Sequence, residues 1–205
     1  SNNELQDANL NQVDFLQINE KGYVNGNKII KKMFDLIVTN PPYTRFSNLS
    51  SGYRSFLQSK FDKYSMKQIG LHAYFLIHLT NFLRNDGFLV AVLPASILFS
   101  QEAEKLRLFL LNNFSLKYII TNENDKSFSD HSDFKEIILI AEKNVSNFNC
   151  KFISLKTNVN QENNHSLAFN ISNNKKSSQM AMMNITKEDL IKSKNWLVFF
   201  QSDKS

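Results

Sequence analysis

The sequence has a single cysteine, Cys150, among its 205 residues. One thiol excludes an intramolecular disulfide framework and any metal site built from several thiolates. The four histidines are scattered, and no spacing among them is typical of zinc. No apolar run is long enough to span a membrane, and the first residues lack the basic and apolar regions of a signal peptide. These absences indicate a soluble protein in the reducing cytoplasm.

The sequence also lacks a strong excess of charge of either sign. Its 24 Lys and Arg residues are nearly balanced by 19 Asp and Glu residues, and the formal net charge is +5. A balance this mild permits a polyanionic partner without requiring one. The hydrophobic fraction of 42% is enough for a core of ordinary size. The length fits one domain, or one domain with part of another.

Apolar segments along the chain predict alternating strands and helices. The run from Phe88 to Leu93, which Pro94 closes, is continuous in the way that is typical of parallel strands covered on both faces. Alternation of this kind predicts an α/β fold with a mostly parallel sheet. The predicted strands lie at 34–39, 88–93, 116–120, 137–141 and 151–155, and the predicted helices at 71–84 and 101–113.

The carboxyl-terminal quarter of the chain has a different composition. Residues 158–178 are rich in Asn, Ser and Lys, which is typical of a linker or a mobile loop. Residues 180–200 regain apolar content and hold the only tryptophan, Trp196. We therefore divide the chain at residue 150 and expect 151–205 to be a linker and the start of a second region.

The tetrapeptide Asn40-Pro41-Pro42-Tyr43 follows the first predicted strand directly. Open α/β sheets place their ligands at this end of a strand. The side-chain oxygen of Asn40 and the carbonyl oxygen of Pro41 are two acceptors, and the paired prolines fix their direction. A rigid turn in which Tyr43 only packs is the alternative interpretation.

Two fixed acceptors can hold both hydrogens of an exocyclic amino group. When such a nitrogen attacks an electrophile, positive charge grows on it, and preorganised carbonyl oxygens stabilise that charge. Tyr43 can stack on the ring of a base that has left the double helix. The pattern therefore favours group transfer to an aromatic amine.

This ordered set of motifs resembles the adenine-N6 DNA methyltransferases of restriction–modification systems. The resemblance covers roughly residues 10–145 and implies a partial Rossmann-like methyltransferase fold, with a mostly parallel sheet and an antiparallel member among the last strands, near 116–121 and 136–142. It also implies that 1–150 is the carboxyl-terminal part of a methyltransferase catalytic domain and that a target-recognition or accessory region starts within 151–205. The segments that carry it are Val13–Leu16, Phe34–Phe46, Ala73–Leu76, Leu83–Phe88, Leu93–Ser96, Lys105–Arg107, Phe128 and Ile137–Ile140.

The resemblance implies that S-adenosylmethionine is the cofactor and assigns residues to it. Asp14 matches the acidic residue that accepts from the amino group of the cofactor's adenine, with Phe15 beside it and Phe75 lining that ring. Phe128 matches the aromatic residue that closes on the second face of the flipped adenine. The alternatives are a helix cap for Asp14, a core position for Phe75 or Phe128, and His131 or Phe134 in place of Phe128.

The segment after Tyr43 is basic and aromatic, and its cations are candidates for phosphate contacts with double-stranded DNA. An ordinary solvated surface is the alternative for each. These residues are Arg45, Arg54, Lys60, Lys63 and Lys67.

The glycine-rich cofactor fingerprint of this family is absent, because no two glycines are closer than four residues. Gly22 and Gly26 follow the Asp14 motif, where the fingerprint cannot lie. We therefore expect the chain to be a fragment that begins near the third strand of the methyltransferase sheet and is inactive alone.

Other functions share parts of this pattern. The tetrapeptide also occurs in glutamine-N5 and rRNA guanine-N2 methyltransferases, and a non-catalytic DNA-binding module could keep the same scaffold. The basic insert after Tyr43 and the tail beyond residue 150 favour DNA. The partners expected besides DNA are a restriction or specificity subunit, or a nuclease domain fused to the same protein.

Overall fold

The computed structural model describes residues 12–30, 32–64, 69–123, 128, 135–144, 148–175 and 177–200. A short hairpin precedes the main sheet and consists of β1 (Tyr23–Val24) and β2 (Asn27–Lys28). The strands of the main sheet are β3 (Phe34–Thr39), β4 (Leu83–Pro94), β5 (Ser115–Asn122), β6 (Glu136–Glu142), β7 (Cys150–Leu155) and β8 (Met180–Ile185). The helices are α1 (Ser51–Lys60), α2 (Leu71–Leu79), α3 (Glu104–Asn113), α4 (Asn164–Ser172) and α5 (Lys187–Lys192). Among the residues that the structure describes, no helix is both long enough and apolar enough to cross a membrane.

The six strands are ordered β3-β4-β6-β5-β7-β8. β3 runs parallel to β4, and β5 runs parallel to β7. The other three pairings, β4 with β6, β6 with β5 and β7 with β8, are antiparallel. The α/β fold and the antiparallel strand near 136–142 are confirmed. The prediction of a mostly parallel sheet is only partly matched, because the sheet is mixed: the insertion of β6 between β4 and β5 creates two antiparallel pairings and β8 adds a third.

The helix predicted over 71–84 ends earlier, and the strand after it begins earlier. α2 stops at Leu79, and β4 already pairs with β3 at Leu83. The ammonium group of Lys143 donates to the carbonyl oxygens of Thr80 and Leu83 at 2.6 and 2.7 Å, so carbonyls at this junction are paired outside the helix. Asp86, at a φ of 62°, lies in the irregular part of β4, where the register with β3 shifts.

One face of the sheet packs beneath α2 and α3. Every residue of α2 is buried except Phe75, which is half-buried. A helix that is apolar on nearly all sides belongs in a protein interior. The main core therefore lies between this helix layer and β3, β4, β5 and β6.

Residues 150–200 continue the same sheet through β7 and β8. The linker predicted over 158–178 contains α4, so that prediction is wrong at 164–172. Leu167 of α4 is 3% exposed and packs in a second, smaller apolar cluster. The assignment of 151–205 to a target-recognition or accessory region stays a prediction.

Arg107 of α3 ties the end of the described chain to the core. Its buried guanidinium donates to the carbonyl oxygens of Ile97 (2.8 Å), Ser100 (2.9 Å) and Lys194 (3.1 Å). The fully buried indole of Trp196 packs 5.9 Å from the same guanidinium.

Candidate functional site

The tetrapeptide 40–43 lies where the sequence predicted it, directly after the last residue of β3. The loop that follows is held against the start of α2, because the backbone N–H of Leu71 donates to the carbonyl oxygen of Thr44 at 2.9 Å. A Cβ atom at Gly70 would come within 2.9 Å of the His72 imidazole and 3.2 Å of the Thr44 carbonyl oxygen. This close approach explains why a glycine precedes α2.

The ring of Tyr43 packs edge-on to the imidazole of His72, with 6.2 Å between the ring centroids. Its hydroxyl group is buried beside the carboxylate of Glu136. Burial, and then the negative charge of Glu136, raise the pKa of Tyr43, so the phenol stays protonated at neutral pH. A phenol held in one place can present its ring to a ligand without carrying charge.

Sequence reasoning missed His72 and Glu136. Burial lowers the pKa of His72 to about 4, so its imidazole is neutral at pH 7. Its Nδ1 atom is buried without a hydrogen-bond partner among the described residues. Glu136 is 1% exposed and is the first residue of β6, directly before the apolar run Ile137–Ala141. An acidic residue directly before such a run was the available signal.

A cleft of about 830 Å³ opens beside Tyr43 and His72. Two of the predicted phosphate-contacting residues, Arg45 and Arg54, line it. Pro94, the last residue of β4, and Ser96 form part of another wall. The cleft therefore brings Tyr43 and the carboxyl end of β4 together with two arginine side chains, an arrangement suited to an anionic ligand.

The other predicted basic residues lie elsewhere. Lys63 is exposed, with its ammonium group 3.9 Å from the Glu20 carboxylate. Lys60 directs its ammonium group to the carbonyl oxygens of Leu16 and Ile18 rather than into the cleft. Lys67 lies outside the described residues. The structure thus brings only the two arginines together with Tyr43.

Asp14 begins a single 3-10 turn, Phe15–Gln17, and its side chain caps that turn. One carboxylate oxygen accepts from the backbone N–H of Leu16 at 3.0 Å. The other accepts from the Tyr53 hydroxyl at 2.8 Å and from the Gln17 amide at 3.2 Å. The alternative interpretation of Asp14 as a cap is therefore confirmed. The cap does not exclude a ligand, because a carboxylate has about four acceptor directions and donors among the described residues occupy three.

The three residues assigned to the cofactor lie in one region. The rings of Phe15 and Phe75 are 5.4 Å apart. Phe15 also packs against His78 and Phe82, with centroid distances of 4.9 and 5.7 Å. Asp14 and these two phenylalanines thus combine an acceptor with half-buried aromatic surface, as a purine ring with an amino group would need.

Phe128 has contacts of two kinds. Its backbone N–H donates to a carboxylate oxygen of Glu136 at 2.8 Å, which connects it to the residue beside Tyr43. Its ring packs against the second apolar cluster, which includes Ile120 and Ile153. The core interpretation therefore has direct support, and stacking on a base stays a prediction. The competitors His131 and Phe134 lie outside the described residues.

Solved structures share this fold. The type IIG restriction endonuclease BpuSI superposes with a TM-score of 0.64 at 21% identity over 87% of this chain and 21% of that one. A putative class I S-adenosylmethionine-dependent methyltransferase from Listeria monocytogenes gives a TM-score of 0.50 at 15% identity, over 73% of this chain and 45% of its own. The chain thus shares its fold with a protein that is described as an S-adenosylmethionine-dependent methyltransferase.

Sequence comparison is more specific. The type II methyltransferase M.HincII of Haemophilus influenzae is 32% identical over 143 residues, which cover 67% of this chain and 28% of M.HincII. The chain therefore spans little more than a quarter of that relative. The Eco57I restriction-modification methylase family matches residues 1–128, which include the turn at Asp14, the tetrapeptide and the cleft. The chain belongs to the Eco57I restriction-modification methylase family.

Proposed function

We propose that the complete protein transfers a methyl group from S-adenosylmethionine to the N6 amino group of adenine in double-stranded DNA, within a restriction–modification system. The observation that carries this proposal is that residues 40–43 follow the end of β3 directly and that Tyr43, the last of them, lines a cleft together with Arg45 and Arg54. Membership of a restriction-modification methylase family supports the same class of reaction.

The residues near Asp14 fit the adenine end of the cofactor. The remaining acceptor direction of its carboxylate suits an amino group, and the rings of Phe15 and Phe75 suit the purine. The bound cofactor would supply an electrophilic methyl group on a positively charged sulfur. Asp14, Phe15 and Phe75 would hold and orient the adenine of the cofactor.

Asn40 and Pro41 act on the substrate amine. The Asn40 side-chain oxygen and the Pro41 carbonyl oxygen accept the two N–H groups, which stabilises the positive charge that develops as the nitrogen lone pair forms its bond to carbon. The amino nitrogen would take the methyl group that the bound cofactor supplies, the bonding electrons would remain on the cofactor's sulfur, and the amine would then lose one proton to water. Pro42 fixes the loop, and the neutral ring of Tyr43 stacks on the base.

Two observations favour DNA over the other substrates that share this tetrapeptide. Arg45 and Arg54, which line the same cleft, suit phosphate better than a glutamine side chain. The family to which the chain belongs is one of restriction-modification methylases. We infer that a restriction or specificity subunit, or a fused nuclease domain, works with this protein.

Asn40→Ala tests this function in the complete methyltransferase. We expect turnover on adenine-containing DNA to fall on the order of a hundredfold or more, while the DNA dissociation constant stays close to that of the unmodified enzyme. The two effects separate because Asn40 acts on charge that develops during transfer, whereas the arginines bind phosphates in the ground state.

Tyr43→Ala is the matched comparison. It should weaken capture of the flipped base, so a fluorescent adenine analogue at the target should brighten less on binding. Equal methylation rates for Asn40→Ala and the unmodified enzyme at saturating cofactor and DNA would contradict the proposal. Methyl transfer to a glutamine-containing peptide or to rRNA, with no transfer to DNA adenine, would show that DNA adenine is not the substrate.

A further inference from the structure

Helix α1 contacts the turn that begins at Asp14 in two places. The Tyr53 hydroxyl donates to a carboxylate oxygen of Asp14 at 2.8 Å. The Lys60 ammonium group donates to the carbonyl oxygen of Ile18 at 2.7 Å and to that of Leu16. Tyr53 and Lys60 are seven residues apart, about two helical turns, so they project from the same side of α1.

Tyr53 acts on the orientation of the Asp14 carboxylate. Together with the Leu16 and Gln17 donors it occupies three acceptor directions, so the direction that remains is determined by these three bonds. Burial and the negative charge of Asp14 raise the pKa of Tyr53, so the phenol stays a donor at neutral pH. Without this hydroxyl the carboxylate could rotate and weaken its bond to a bound amino group.

Lys60 acts on the backbone of the same turn. It is half-buried, and its ammonium group lies 5.8 and 5.9 Å from the rings of Phe56 and Phe61. Bonds to two carbonyl groups two residues apart hold the backbone on both sides of Gln17. These contacts also fix the turn that carries Phe15, whose ring packs against Phe75.

We propose that Tyr53 and Lys60 are positioning residues for the adenine of S-adenosylmethionine, which act by fixing Asp14 and the backbone of residues 14–18. This inference rests on the proposed role of Asp14 in holding the cofactor. It gives Lys60 a function different from the phosphate contact that the sequence predicted. It also gives the segment after the tetrapeptide a second task besides DNA binding.

The experiment measures cofactor affinity by calorimetry, together with kcat and KM, in the complete methyltransferase. We expect Tyr53→Phe to weaken S-adenosylmethionine binding on the order of tenfold, the effect of losing a hydrogen bond to a charged group. Lys60→Met should weaken it to a similar extent, and Lys60→Arg, which keeps donors at this place, should recover most of the affinity. In each case KM for the cofactor should rise while kcat at saturation changes less than about twofold.

Ser59→Ala provides the control, because Ser59 is an exposed residue of the same helix. It should leave affinity, KM and kcat unchanged. Thermal unfolding of all variants checks that none has lost its fold, and faster amide hydrogen exchange at residues 14–18 should accompany the loss of affinity.

The results separate this inference from the proposed function. If Tyr53→Phe and Lys60→Met are folded and bind the cofactor as tightly as the unmodified protein, or lose kcat without a change in KM, the positioning role is wrong. If the unmodified protein binds the cofactor but does not methylate adenine in DNA, the proposed reaction is wrong, and the affinity series still decides the role of α1.

Discussion

The two faces of the β3–β4 pair are both apolar, yet only one is covered. On the face beneath the helices, Leu89 and Ala91 are fully buried and Ile37 packs against the main core. On the opposite face Leu36 is 55% and Val38 is 69% exposed. Strand composition alone therefore does not reveal which face of a sheet is covered by the described chain.

The continuous apolar run in β4 predicts cover on both faces, and the structure provides it on one. β3 is also the edge strand of the sheet, with β4 as its only neighbour in the described structure. Apolar residues exposed beside an unpaired strand edge are typical of a surface that another element covers. Truncating the same type of side chain should therefore lower the free energy of unfolding much more on the covered face than on the exposed face.

Leu89→Ala should have the largest effect, because this residue is fully buried beneath the helix layer. We expect the free energy of unfolding to fall by about 3 kcal/mol through lost burial and a residual cavity. Urea unfolding followed by circular dichroism measures it. A loss below about 1 kcal/mol would mean that the covered face is loosely packed.

Acidification should weaken the same covered face through His72 and His78 of α2. Burial lowers the pKa of both to about 4, and for His78 the charge of Lys60 adds to this effect. The unfolded chain therefore takes up protons first as the pH falls from about 6.5. Stability is fully present above that pH and is lost as the pH falls towards about 4.

The expected loss is roughly 1–2 kcal/mol for each histidine at about pH 5. Unfolding free energies measured across this window test it, and His78→Gln should remove about half of the slope. A stability that does not change between about pH 6.5 and 5 would contradict the buried, neutral state of both imidazoles.

Leu36→Ala should have the smallest effect and is the matched counterpart of Leu89→Ala, since the same atoms are removed from the uncovered face. With more than half of its side chain exposed, we expect a loss below about 1 kcal/mol. Equal losses for the two variants in the same urea titration would show that the faces are equally covered in solution.

The sequence predicted β3 and the position of the tetrapeptide correctly because local signals determine both. A β-branched apolar run forms the strand, and two prolines without N–H donors must end it. α4 was missed because its Asn- and Ser-rich sequence has weak helix propensity, and the packing of Leu167 provides the stability that propensity does not.

The links that organise the candidate site could not be predicted, because they join residues far apart in the chain. Tyr53 and Asp14 are 39 residues apart, and Lys60 and Leu16 are 44 apart. No periodicity or motif records such pairs. Lys60 is the clearest example of a role that the sequence did not reveal. Its charge suggested a contact with phosphate, whereas in the structure its ammonium group donates to a backbone carbonyl oxygen.

The guanidinium of Arg107 has a consequence for how the protein can be shortened. A chain that ended at residue 150 would keep every residue predicted to bind cofactor, base or phosphate. It would nevertheless lose the carbonyl of Lys194 and the indole of Trp196, and leave a buried cation with one acceptor fewer. Buried charges that lose a partner are costly. A shortened protein that is meant to keep the site folded should therefore retain the chain at least through Trp196.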